Sequence, residues 1–219
     1  MGWSRRGSRG RRGYHHGNLR EALVEAALNL IVDKGPGGFT FSDAARLAGV
    51  SSAAPYRHYR DREQLLSDIA RRGFEQFREV LELAWDDGRP DPFVAYERLG
   101  RAYLGFARRQ PAYYSAMFEA GIPLDSSPAL RQSADAAFLV FRHAAESLCA
   151  MLPRDARPPA LMVSLHVWTM AHGIASLFTR ADAGRRKLPM SPEDLLEAAV
   201  LIYLRGLGFS RDTQKSRSD

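Results

Sequence analysis

The chain has 219 residues, a formal net charge of +6, an apolar fraction of 45% and one cysteine, Cys149. That composition supports a globular fold with a sizeable core, and a single cysteine excludes an intrachain disulfide or a multi-cysteine zinc site. The positive charge is concentrated: Met1 to Arg72 holds 13 Lys or Arg against 7 Asp or Glu, whereas the remainder holds 18 against 18, a division that predicts a basic module for a polyanion joined to a neutral module with a different task.

Residues 1–13 read as a basic disordered tail, with Arg5, Arg6, Arg9, Arg11 and Arg12 set among Gly and Ser. It is either a solubilising segment or an arm that adds backbone or minor-groove contacts. It lacks the apolar centre of a secretory signal, and no uninterrupted apolar run elsewhere approaches the roughly 18 residues of a membrane span. A cytoplasmic location without a membrane partner is therefore expected. His15 and His16 lack the further ligands that a metal site needs, and neither metal nor cofactor is expected.

Asn18 is placed to cap a first helix, in which Leu19, Ala22, Leu23, Ala26, Ala27, Leu30 and Ile31 recur at helical spacing until GPGG ends it. Thr40 and Asp43 form the pattern of a capping box for a short second helix through Ala48, which Gly49 closes. Ser52 is the expected cap of a third short helix, with Pro55 as its third residue, where a missing N–H costs little. Asp61 and Gln64 then open a long helix running to about Ala84. Five further helices are expected near Pro92–Arg109, Pro111–Phe118, Pro128–Leu152, Pro159–Thr179 and Pro192–Leu207. Pro92, Pro128 and Pro192 each follow an Asp or Ser cap. No segment alternates as a strand does.

The fold class is therefore all-α, with about nine helices and no internal repeat. An N-terminal three-helix unit precedes a larger helical one. The boundaries read 1–13 tail, 14–61 first unit, 62–84 connecting helix, 85–209 second unit and 210–219 polar tail. Two short helices joined by Gly-Val-Ser and flanked by longer ones have the spacing of a helix-turn-helix that reads duplex DNA. Small residues lead the second short helix, and Tyr56, Arg57, His58 and Arg62 follow to reach phosphates or base edges. Tyr59 is expected in the core and Tyr56 on DNA. The sequence holds no GxSxG, HExxH, Walker loop or paired-cysteine motif, and an enzyme is not expected.

The stretch TFSDAARLAGVSSAAPYRHYRDREQLL resembles the DNA-binding domain of TetR-like bacterial transcriptional regulators, and YHHGNLREALVEAALNLI resembles that family's first helix. WTMAHGIASL resembles the Trp-x-x-x-His-Gly signature of one TetR subgroup, in Trp168, His172 and Gly173. The resemblance implies phosphate contacts from Thr40, Tyr56, His58 and Arg62, and base readout from Ser51, Ser52, Ala53 and Arg57. Pro55 departs from the leucine common there. It further implies a homodimer on palindromic double-stranded operator DNA, acting as a ligand-responsive repressor. The dimer would be joined through Leu165, Ile174, Leu177, Leu195, Leu196, Val200 and Leu204. A small, mostly apolar effector would be held among Phe106, Tyr113, Tyr114, Met117, Phe138, Phe141, Trp168, Met170 and His172, a set that simple core packing would also explain. A helical protein-interaction adaptor with a nonspecific basic tail is the alternative.

Overall fold

A computed structural model describes residues 19–178 and 189–209. The expected cap Asn18, the two tails and Thr179 lie outside the described residues. Eight α-helices make up the fold, with no strand among the described residues. Helix α1 (Leu19–Lys34) buries Leu23, Ala27, Leu30 and Ile31 along one face. In α2 (Phe41–Leu47) the Thr40–Asp43 capping box is formed in both directions, and Gly49 takes the left-handed φ of +72° that ends the helix without a Cβ clash.

The third helix differs from expectation. It is a single 3-10 turn, Ala54–Arg57, capped by the Ala53 backbone rather than by Ser52, with Pro55 at its start. Four residues do not leave room for a run of i→i−4 bonds. Shorter links form instead, from Ala54 N to Ser51 O at 3.0 Å and from His58 N to Pro55 O at 2.9 Å. Among the described residues the count is therefore eight α-helices and four 3-10 turns, of which this is the first.

Helix α3 (Arg62–Trp85) starts at the Asp61 cap, whose carboxylate accepts from Gln64 N, and forms the spine of the molecule, packed against α4 (Pro92–Arg109), α5 (Pro111–Phe118) and α6 (Pro128–Cys149). Gly73 makes the α3–α5 approach possible, since a Cβ there would sit 2.7 Å from Met117 Sδ. Asp91, Ser127 and Ser191 cap α4, α6 and α8 (Pro192–Gly206) ahead of their prolines, as the sequence predicts. Helix α6 ends at Cys149 rather than Leu152.

Helix α7 (Ala160–Phe178) reaches the length and composition of a membrane span, although His166, Thr169 and His172 interrupt every apolar run. It packs against α4, α6 and α8, with Val163, Val167 and Ala171 in the core. Its other face carries the exposed Leu161, Leu165 and Leu177. The helix thus turns an apolar face to the core and leaves these leucines, set among exposed His166 and Thr169, on the side away from it.

Candidate functional site

The 3-10 turn is anchored from beneath and open above. Pro55 is buried, and Tyr59, two residues past the turn, is 2% exposed, so both fix the turn against α1 and α3. Ser51, Ser52, Ala53, Tyr56, Arg57 and His58 are all exposed. Tyr56 is 62% exposed, and its ring stands edge-on to Phe41 of α2 with centroids 5.1 Å apart. This contact holds an aromatic hydroxyl on the surface in a defined direction. The surface thus offers a phenol, a guanidinium, an imidazole and two small hydroxyls over one turn, a set suited to phosphates and base edges.

Of the residues assigned to this surface by sequence, Arg62 is placed differently and Thr40 is exposed but engaged in its cap. Arg62 is half-buried: its guanidinium donates to the Pro36 carbonyl and lies over the Phe39 ring, 4.8 Å from the centroid. It braces the loop between α1 and α2. Thr40 is exposed, but its hydroxyl donates to Asp43 Oδ2 at 2.7 Å while accepting from Asp43 N at 3.1 Å. Its proton is committed to the cap, with a carboxylate alongside.

Beneath the turn lies a cluster not anticipated from sequence. Tyr59 Oη donates to Asp68 Oδ2 at 2.8 Å and accepts from Arg20 Nε at 3.2 Å. Asp68 Oδ1 accepts from Arg71 at 2.9 Å and pairs with Arg20 at 3.1 Å, and Arg72 grips Glu21 through both nitrogens at 2.5 and 2.6 Å. Burial opposes ionisation of Asp68, but the bonds from Tyr59 and Arg71 and the charges of Arg72 and Arg20 outweigh it and hold the carboxyl below its usual range. Burial pushes the Tyr59 phenol up to about 12. The cluster ties α1 and the Ala54–Arg57 turn to α3. An acid inside the apolar run LLSDIA was the available signal, because a buried carboxylate requires partners.

In the second unit, the aromatic residues assigned to an effector pocket divide. Tyr114, His172, Phe141 and Trp168 meet around Tyr103, which the sequence reading omitted. Tyr103 Oη lies 2.9 Å from His172 Nδ1 and accepts from Trp168 Nε1 at 3.3 Å; Tyr114 Oη lies 3.0 Å from the same His172 nitrogen and 3.4 Å from Ser176 Oγ. His172 Nδ1 offers one hydrogen-bond position to two phenols, so in the neutral ring it either accepts from one of them or, as Nδ1–H, donates to one. Burial lowers the His172 pKa and favours this neutral form.

Rings enclose these polar atoms. Phe118 is 4.9 Å from the His172 ring, Phe141 is 6.1 Å from Tyr103, and Phe138 is 4.9 Å from Trp168. Phe106 joins the cluster only through Phe77, at 5.0 Å. Tyr113 and Met117 face Gly73 of α3 instead, and Met170 packs partly buried at the core edge. Ser176 was legible as the residue one turn beyond His172; Tyr103 was not, since it stands in an ordinary apolar stripe of α4.

The residues assigned to a dimer face also divide. Leu165 and Leu177 are 40% and 50% exposed, and Leu195 is half-buried, whereas Ile174, Leu196, Val200 and Leu204 are buried in the chain's own core. The last four turn toward their own chain because α8 must cover α4 and α7. Ile202, at 72% exposure, takes their place on the open face of α8.

Comparison with known proteins supplies a context for this arrangement. Residues 23–69 match the model of "Bacterial regulatory proteins, tetR family", and residues 96–203 match that of "Tetracyclin repressor-like, C-terminal domain". A curated relative, the HTH-type transcriptional regulator BetI of Rhizobium meliloti (strain 1021), is 49% identical over 47 residues, which cover 22% of this chain and 23% of BetI. The chain thus matches under a quarter of that relative's length. Among solved structures, a protein of unassigned function from Rhodococcus sp. RHA1 superposes with a TM-score of 0.73 at 27% identity, over 90% of this chain and 98% of that one. The TetR family regulator PfmR from Thermus thermophilus gives 0.66 at 20% identity, over 84% and 97%. The fold likeness covers both helical units.

Proposed function

Since the chain belongs to the tetR family of bacterial regulatory proteins, we propose that it is a homodimeric, ligand-responsive repressor that binds a palindromic operator through the turn Ala54–Arg57. The observation that carries this reading is the turn itself, with Pro55 and Tyr59 anchored below and Tyr56, Arg57 and His58 exposed above. Ser51, Ser52 and Arg57 are assigned to base edges, Ala53 to thymine methyls, and Tyr56 and His58 to phosphates. Arg62 and Thr40 act by holding the loop and α2 in place.

A twofold operator requires a twofold protein whose reading turns lie about 34 Å apart or a multiple of that. The uncovered face of Leu161, Leu165 and Leu177 on α7 with Ile202 on α8 supports the dimer contact, because two such faces bury each other. The Tyr103–Tyr114–His172 cluster spans α4, α5 and α7 and suits a sensing role through repacking. An effector that prefers one packing shifts the population of reading-turn spacings, and a coupling of about 1–3 kcal/mol changes operator affinity roughly 5–150-fold.

The test is binding to the duplex upstream of the protein's own coding sequence at two salt concentrations, with an unrelated duplex as competitor. Sequence-specific binding as a dimer that survives deletion of residues 1–12 is expected, and Leu165→Glu with Ile202→Glu should yield a folded monomer that loses specific binding. Binding that ignores sequence or disappears with the tail would favour the adaptor.

A further inference from the structure

The Ala54–Arg57 turn has little within itself to fix its direction. It carries no side-chain cap, and the bonds that close it run from His58 N and Tyr59 N to Pro55 O, at 2.9 and 3.0 Å. A single 3-10 turn is not a cooperative unit. The buried Pro55 and the Tyr59 ring set its depth, but apolar burial is non-directional and leaves rotation about the contact open.

We propose that the Tyr59 hydroxyl, held by Asp68, is a positioning group for DNA recognition: it fixes the direction of the turn, and with it where Tyr56, Arg57 and His58 meet a duplex, without touching the duplex itself. The inference rests on the reading of the chain as a regulator.

Three observations carry it. The first is directionality. Tyr59 is 2% exposed, so its hydroxyl does not face a duplex, yet it is committed in both its roles. It donates to Asp68 Oδ2 at 2.8 Å and accepts from Arg20 Nε at 3.2 Å. Hydrogen bonds weaken steeply as they bend, so the two together supply the orientation that ring burial leaves open.

The second is the fixity of the acceptor. The Asp68 side chain is 7% exposed and is gripped from two helices. Arg20 of α1 pairs with Oδ1 at 3.1 Å, while Arg71 and Arg72 of α3 reach Oδ1 and Oδ2 at 2.9 and 3.3 Å. Arg71 is itself held by Glu75, at 2.5 Å. An acceptor constrained in this way imposes its position on the turn rather than following it.

The third is place in the chain. Tyr59 stands one, two and three residues past His58, Arg57 and Tyr56, too few for the backbone to absorb a change in its direction. The turn packs on α1 and α2, whereas the Tyr59–Asp68 bond reaches α3, the helix that continues into the second unit.

Tyr59→Phe keeps the ring and removes only the hydroxyl, with circular dichroism checking the fold. Discrimination between the operator and an unrelated duplex should fall about three- to tenfold, the range of one lost hydrogen bond. The salt slope should stay unchanged, because no cation is removed. Ile31→Val, which deletes one buried methyl group from α1 at a comparable cost in stability, should leave discrimination as it is. In the double variant Tyr59→Phe with Arg57→Ala, the combined loss should be smaller than the product of the two single losses, since the hydroxyl acts partly by placing Arg57. The His58 amide should exchange with solvent about three- to tenfold faster in Tyr59→Phe, relative to the buried amides of α6.

Losses that multiply, an equal change on every duplex, or the same fall in Ile31→Val would reduce the hydroxyl to a stabilising bond and overturn the inference. Full discrimination by Tyr59→Phe does so as well. If the natural chain binds no duplex specifically, the regulator reading fails, and the His58 exchange rate then decides the positioning role alone: an unchanged rate rejects it.

Discussion

Around Ala54–Arg57 the polar side chains point outward and the anchors lie beneath, whereas around His172 the polar atoms point inward and the rings enclose them. The Ala54–Arg57 turn presents its polar side chains to solvent and is anchored by Tyr59 and Asp68 below. The His172 cluster presents little chemistry to solvent and responds only if its packing changes. Truncation should therefore separate the two regions, with stability lost at one and recognition lost at the other.

The largest effect is expected in the packed region. Phe141 is 1% exposed and lies against Tyr103, so Phe141→Ala should cost about 3–5 kcal/mol of stability, measured by denaturant unfolding. A cost below about 1 kcal/mol would mean that the cluster is loosely packed and would erase the contrast.

Next comes the cluster that joins the two regions. Asp68→Ala leaves Arg20, Arg71 and Arg72 facing one another without their shared carboxylate, and a loss of about 3 kcal/mol is expected. The folded pKa of Asp68 is depressed. Its stabilising contribution is therefore present above the unfolded value of about 3.9 and is lost as pH falls through the folded value. The acid limb of the stability curve should be shallower in Asp68→Asn than in the natural chain.

At the reading turn the signature reverses. Arg57 is exposed, so Arg57→Ala should change stability by less than about 0.5 kcal/mol while reducing discrimination between operator and unrelated duplex by about 1–3 kcal/mol. Equal weakening on every duplex would reassign Arg57 to phosphate.

The smallest effect concerns His172. Burial depresses its folded pKa, so below the unfolded value of about 6.5 the unfolded chain takes up a proton that the folded one resists. Stability should decline modestly as pH falls from about 7 toward the folded pKa. His172→Gln should remove this slope, and an unchanged slope would assign it to other groups.

Local chemistry in the sequence determined most of the helix framework. Caps at Thr40, Asp61, Asp91, Ser127 and Ser191, prolines just after three of them, and the stop at Gly49 act within a few residues, which is why the chain order of helices and the all-α class were legible in advance. Tertiary packing decided what those local signals leave open. Arg62 turns onto Phe39 and Pro36, Tyr103 becomes the centre of the His172 cluster, and Leu196, Val200 and Leu204 close the chain's own core while Ile202 remains outside. An apolar stripe states that a residue is to be buried, but the partner that buries it is set by helices remote in sequence. The Ala54–Arg57 turn shows the same division: Pro55 marked its start, while its length of one 3-10 turn and the burial of Pro55 and Tyr59 beneath it appear only in the folded chain.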